Sequence, residues 1–172
     1  YLPASRLEEG LVPGLTLTEH FTIVMDNKKN LFIDKQHFQE TAKEKIQEYR
    51  IIGQPETPVE SLSGGNQQRA ALSLLTESLS VILLEHPTRG LDMESAIYMW
   101  DKLKERCRGG TSIFFISADL DEILRYSDRI LVFFSGKVSS PLDSSETSLE
   151  QLGQLIGGKG WDTSANDEEG YG

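Results

Sequence analysis

Hydrophobic positions along the chain change period several times, and each change predicts an element. Phe38, Ala42, Ile46 and Tyr49 recur at helical spacing and predict an amphipathic helix over Lys35–Ile51. Thr16-x-x-Glu19 has the form of a capping box, opening a short helix through about Val24. Ala70, Leu74 and Leu75 share one side of a helix predicted over Asn66–Leu79. Ala96, Trp100, Leu103 and Cys107 do the same in a longer helix from Asp92 to Arg108, which suggests a core thiol. Val81 to Leu84 is a continuous apolar run, as expected of a parallel strand covered on both faces. Thr111 to Ser117 reads as the next strand, and Ala118-Asp119-Leu120-Asp121-Glu122 opens a short helix after it. Asp128 to Phe134 reads as a further strand, with Ser135-Gly136 as a turn into Lys137–Ser139, a hairpin. Ser148 to Ile156 predicts a final helix. Lys28 to Asp34 is a loop or weak strand, and Gln54 to Pro58 a proline-containing linker. Gly157 to Gly172 is polar, acidic and glycine-rich without periodicity, which predicts a disordered tail. The fold class is α/β.

Two segments carry chemistry. Ser63-Gly64-Gly65 stands at the start of a predicted helix. Ser63 offers a hydroxyl, and two residues without a Cβ let backbone N–H groups approach a ligand closely. A helix start with free N–H groups and a favourable dipole is an anion site. The second segment is the carboxyl end of the Val81 strand, where α/β sheets bind ligands. An acid, Glu85, stands there, followed by His86. A neutral imidazole can act as a base, but it brings no negative charge to orient water beside a metal.

Glu60-Ser61-Leu62-Ser63-Gly64-Gly65-Asn66-Gln67-Gln68-Arg69, followed by Val81-Ile82-Leu83-Leu84-Glu85-His86-Pro87-Thr88-Arg89-Gly90-Leu91-Asp92, resembles the signature and Walker B segments of ATP-binding-cassette (ABC) ATPases. Tyr1-Leu2-Pro3-Ala4-Ser5-Arg6-Leu7-Glu8-Glu9-Gly10-Leu11 resembles the Q-loop segment of sugar and nucleoside importers of that family. The resemblance implies the carboxyl-terminal part of an ABC ATPase: a helical subdomain plus the Walker B half of a RecA-like P-loop NTPase core. It divides the chain into a Q-loop remnant and helical subdomain (1–60), signature and core (61–156) and tail (157–172). It implies that Ser63, Gly64 and Gly65, supported by Gln68, close over ATP held by a partner, and that Asp92 belongs to the D-loop. It places Glu85 where the family's acid positions Mg²⁺, so that a weak contact through water remains, and His86 where the family has the water-activating Glu. Ala4 stands at the polar Q-loop position and Ala118 at the family's switch histidine. The residues serving this chain's own site are therefore altered, while those serving a neighbour's are not.

The implied cofactors are ATP and Mg²⁺, held mainly by a partner domain or a segment upstream. The implied partners are a second ABC nucleotide-binding domain and a transmembrane permease. The implied place is the cytoplasmic face of the plasma (inner) membrane, as a peripheral subunit. No G-x-x-x-x-G-K-[ST] occurs, so the chain reads as a fragment that starts after the Walker A helix. Its 172 residues suit one domain of ~100–200. No apolar run approaches the ~18–20 residues of a membrane span. A net charge of −10 argues against a nucleic-acid surface. His20, His37 and His86 are scattered without metal-ligand spacing. Two alternatives stand beside this reading. One is an active ABC ATPase that uses His86 as base. The other is a soluble ABC protein of DNA repair or translation, against which the acidic charge, the NQQR extension and the lack of coiled-coil heptads speak.

Overall fold

Thr16 opens the first helix, α1 (Leu17–Val24), with a complete capping box. Its hydroxyl accepts the Glu19 N–H, and the Glu19 carboxylate accepts the Thr16 N–H at 2.7 Å. The computed structural model describes residues 1–25, 34–76 and 78–161. All but the last residue of the predicted loop Lys28–Asp34 lies outside them, as does the predicted tail from 162 onward. Two compact units divide at Ile116 and Ser117.

In the first unit, α1 packs against α2 (Lys35–Glu48), which Asp34 caps by accepting the His37 N–H. Leu17 and Phe21 of α1 are buried, as are Phe38 and Ala42 of α2. The chain leaves α2 through Arg50, at a φ of 51°, and the Ile51 N–H bonds back to the Ile46 carbonyl at 2.9 Å. The next helix, α3, spans Gly64–Ser73, starting two residues earlier and ending six earlier than the spacing predicts. Its premature end has a long-range cause. Arg106 donates to the carbonyls of Leu75 and Thr76, both at 2.8 Å, and holds them in a non-helical path.

The sheet of this unit is small. β1 (Val81–Glu85) pairs in parallel with β2 (Ser112–Ile116), and Leu2 adds a single bridge to Leu84. Between the strands runs α4 (Met93–Arg108), whose inward face is Ser95, Met99, Trp100 and Leu103. Trp100 meets Phe115 edge-on at 4.7 Å. Cys107 lies in the last turn of this helix, and the thiol is exposed rather than in the core. The expectation that β1 is covered on both faces also fails. Ile82 and Leu84 are 0% and 1% exposed, but Val81 and Leu83 are 52% and 48% exposed. On β2, Phe114 and Ile116 are 58% and 63% exposed. An apolar run encodes two faces suited to cover, but whether both are covered depends on elements remote in sequence.

That face predicts weak self-association. Each of its four side chains gains about 1 kcal/mol if its exposed half is buried, or about 8 kcal/mol for two copies face to face. Association costs at least ~4 kcal/mol. The balance is no better than about −4 kcal/mol, a Kd near 1 mM. Sedimentation equilibrium is expected to show dimers appearing only toward millimolar chain, and Phe114→Lys to suppress them. A Phe114→Lys chain that associates as strongly as wild type would remove this face from the account.

The second unit holds α5 (Leu120–Tyr126), β3 (Arg129–Ile130), β4 (Phe133–Phe134), β5 (Lys137–Val138), β6 (Leu142–Asp143) and α6 (Leu149–Ile156). The single strand predicted over Asp128–Phe134 is two short ones, because β3 pairs with β6 while β4 pairs with β5. The β4–β5 turn is as predicted, with Ser135 and Gly136 both at positive φ, the conformation a two-residue hairpin requires. Ile130, Val132 and Leu152 form the core of this unit. Trp161 returns to it, donating from its indole N–H to the Leu155 carbonyl at 2.8 Å.

Candidate functional site

The loop ahead of α3 is built by the helix that follows it. Ser63 is extended, at φ −62° and ψ 156°, and stands at the N-cap, but its hydroxyl does not cap the helix. It accepts instead from the Asn66 side-chain amide at 2.8 Å. Among the described residues nothing accepts from the backbone N–H groups of Gly64 and Gly65, so the first turn presents them to a ligand. Each residue of Asn66-Gln67-Gln68-Arg69 then fixes a different neighbour. Asn66 Oδ1 accepts the Ile52 N–H at 2.7 Å. Gln67 Nε2 donates to the Val59 and Leu62 carbonyls, holding the short helical turn Val59–Ser61. Gln68 Oε1 accepts from Arg6 Nε. Arg69 donates to the Arg50 carbonyl at 2.7 Å and to Ser95 Oγ at 2.8 Å. These side chains are buried or half-buried, so the loop is held from four sides.

At the carboxyl end of β1, Glu85 meets the opening loop of the chain. The Leu2 N–H donates to the Leu83 carbonyl and the Glu85 N–H to the Leu2 carbonyl. The Ala4 N–H approaches Glu85 Oε2 at 3.4 Å. A hydrogen bond from the Tyr1 hydroxyl to Glu85 raises the Tyr1 pKa, with its other causes smaller. Glu85 and Ala4 are thus brought together, and the carboxylate is engaged by the loop. One half-occupied carboxylate is too small a donor set for a protein-held Mg²⁺, and among the described residues no three His, Cys, Asp or Glu side chains converge. The free N–H groups at Gly64 and Gly65 suit an anion instead.

His86 sits at a φ of 45°, a left-handed conformation that histidine tolerates better than most residues. Its N–H donates to the Ile116 carbonyl at 2.8 Å and its carbonyl accepts from Arg89. Among the described residues its ring has no hydrogen-bond partner or acid to orient it as a base. Asp92 caps α4, accepting the Ser95 N–H at 2.9 Å and the Ser95 hydroxyl at 2.6 Å, and those two bonds lower its pKa. Ala118 belongs to the second unit, just ahead of Asp119, which caps α5. A methyl group there offers no hydrogen bond to a phosphate.

The structure adds two residues that sequence reasoning missed, Arg6 and Arg89. Both lie inside quoted segments, but nothing local signals that residues 83 apart would meet. His20 was noted only as a scattered histidine. It is buried, with Nδ1 2.8 Å from the Thr16 carbonyl and Nε2 accepting the Val12 N–H at 2.9 Å, so it is a structural strut.

The site thus combines a glycine-started helix, a parallel strand that ends in an acid and a helical block ahead of them in the chain. No family model matches the chain. Solved cassettes share its fold. The ATP-binding cassette MJ0796, in a dimeric post-hydrolysis state with ADP and phosphate, aligns with TM-score 0.66 and 21% identity over 83% of this chain and 63% of that one. An ATP-binding subunit of an ABC transporter aligns with TM-score 0.69 and 18% identity over 90% and 68%. The ribose import ATP-binding protein RbsA of Streptococcus agalactiae is 33% identical over 164 residues, 92% of this chain and 33% of that protein. The nucleoside import ATP-binding protein NupA of Lactococcus lactis is 31% identical over the same length, 92% and 32%. The chain therefore belongs with the ABC ATPases, and its curated homologues are ATP-binding proteins of sugar and nucleoside import. It spans about a third of the length of those relatives.

Proposed function

We propose that this chain acts in an ATP-binding subunit, or half-subunit, of a sugar- or nucleoside-type ABC importer, with a degenerate site of its own and a signature loop that serves a partner's ATP. The observation that carries this reading is the contrast between the two ends of the site. The Ser63–Gly65 loop is braced by four side chains and presents free N–H groups. At the other end Glu85 is engaged by the Ala4 N–H and the His86 ring is unsupported. In this reading the partner cassette supplies the phosphate loop, Mg²⁺ and the water-activating acid. The loop of this chain supplies oxyanion contacts from Gly64, Gly65 and the Ser63 hydroxyl, with Gln68 behind it. A permease is the second partner, and the subunit lies at the cytoplasmic face of the membrane. Among the described residues no helix is long and apolar enough to cross it. Import by the relatives supports the transport class, and the acidic net charge of −10 favours it over nucleic-acid work.

The chain alone is expected to release no phosphate from Mg-ATP above a protein-free blank. Turnover that disappears in His86→Ala would overturn the degenerate-site reading in favour of an active ATPase.

A further inference from the structure

We propose that Arg6 and Arg89, together with the amino end of α3, form an oxyanion pocket that grips the terminal phosphate of a nucleoside triphosphate docked on Ser63–Gly65. This rests on the phosphate-facing reading of that loop given above. Arg6 lies where three segments meet. Its Nε donates to Gln68 Oε1 in the second turn of α3, and its Nη2 donates to the Arg89 carbonyl in the loop after β1. Its Nη1 lies against Gly64, where a Cβ would come within 3.3 Å of it. The glycine thus lets a guanidinium rest beside the free N–H groups of the helix start. Among the described residues, neither Nη1 of Arg6 nor the guanidinium of Arg89 has an acceptor, and neither arginine pairs with a carboxylate. Both side chains line one open pocket of about 480 Å³, along with Ala4, Ser5, Glu8 and Gln67. Glu8 is the acid in that wall, exposed and accepting the Ser5 hydroxyl at 2.7 Å.

A second feature points to a ligand. Gln68 is 1% exposed, and its side chain reaches Arg6, yet its Nε2 has no hydrogen-bond partner. A buried amide donor left unmade beside the Arg6 guanidinium is the second mark of a place arranged for an anion. Burial first, and then the charge of Arg89, lowers the pKa of Arg6, the direction expected of neighbouring cations without a counter-ion. Two planar guanidiniums offer paired N–H donors that match phosphate oxygens, and the helix start adds backbone donors between them.

The test uses sodium tripolyphosphate as the probe, titrated by calorimetry into the purified chain, with amide shifts at Gly64 and Gly65 locating the binding. Arg89 is exposed, so Arg89→Gln leaves the fold intact and carries the main arm. Arg6→Lys keeps the charge but loses the fork. Each is expected to weaken binding about tenfold or more. Unchanged affinity in both variants, with binding lost in Gly64→Asp, would overturn the pocket while leaving the signature loop as a phosphate site. Absence of wild-type binding in the millimolar range would also overturn it. The functional reading has its own test, the turnover of the assembled pair, so the two can fail separately.

Discussion

Gly64→Asp is expected to abolish most ATP turnover when the chain is paired with a partner cassette that carries an intact phosphate loop and catalytic acid. The Cβ at position 64 would stand 3.3 Å from Arg6 Nη1, and its carboxylate would project among the free N–H groups of the first turn. It would compete for those donors and repel the terminal phosphate. Two unit charges ~4 Å apart at an effective dielectric constant near 20 repel by about 4 kcal/mol. That is a loss of about a thousandfold if the contact is made in the transition state. Gly64→Ala separates the two causes. It adds the steric contact without the charge, and Arg6 needs to yield by only a few tenths of an ångström, so most activity is expected to remain. His86→Ala is expected to change the rate of the pair by less than about twofold, since its ring is not braced for proton transfer. ATPase rates of the reconstituted pair, with each substitution made separately in this chain, decide the matter. A rate indifferent to Gly64→Asp and removed by His86→Ala would invert the assignment of roles.

What the sequence disclosed about this site depended on how local the cause was. The Thr16 capping box, the helix starts at Asp92 and Ser148 and the Ser135-Gly136 turn rest on residues one to three positions apart, and each stands where the sequence places it. The signature and Walker B segments were legible as a pair because their residue types and order are specific. Their wiring was not. Gln68 is fixed by a residue 62 positions away and Arg69 by one 26 positions away, and no pattern in either segment encodes those distances. The helix after Ser63 was drawn too long because its end is set by Arg106, about thirty residues on. Cys107 stands only about 20° around the helix from Ala96, so the spacing is that of one face; it is exposed because it lies in the last turn of α4, beyond the cover that buries Met99, Trp100 and Leu103. Arg6 and Arg89 could be read as components of their segments, but not as neighbours.

Trp100→Ala is expected to be the most damaging single truncation in the first unit, and Phe114→Ala nearly silent, although both residues are large aromatics beside the same strand. Trp100 is buried, packs edge-on against Phe115 at 4.7 Å, and joins α4 to the buried face of the β1–β2 sheet. Removing it takes away that aromatic contact and leaves a cavity where Met99 and Leu103 are already fully packed. Truncations of this kind cost about 3–5 kcal/mol, against a total stability of about 5–15 kcal/mol for a domain. The opposite face of the sheet gives little reserve, because its side chains are about half exposed. Phe114, on that face, has already left much of its surface in water, so truncation there is expected to cost under ~1 kcal/mol. Urea denaturation of the two variants tests both halves of the contrast, with the midpoint expected to fall sharply for Trp100→Ala and to stay near wild type for Phe114→Ala. Equal losses would mean that the Phe114 face is covered in solution, and a small loss for Trp100→Ala would mean that α4 is not what holds the sheet.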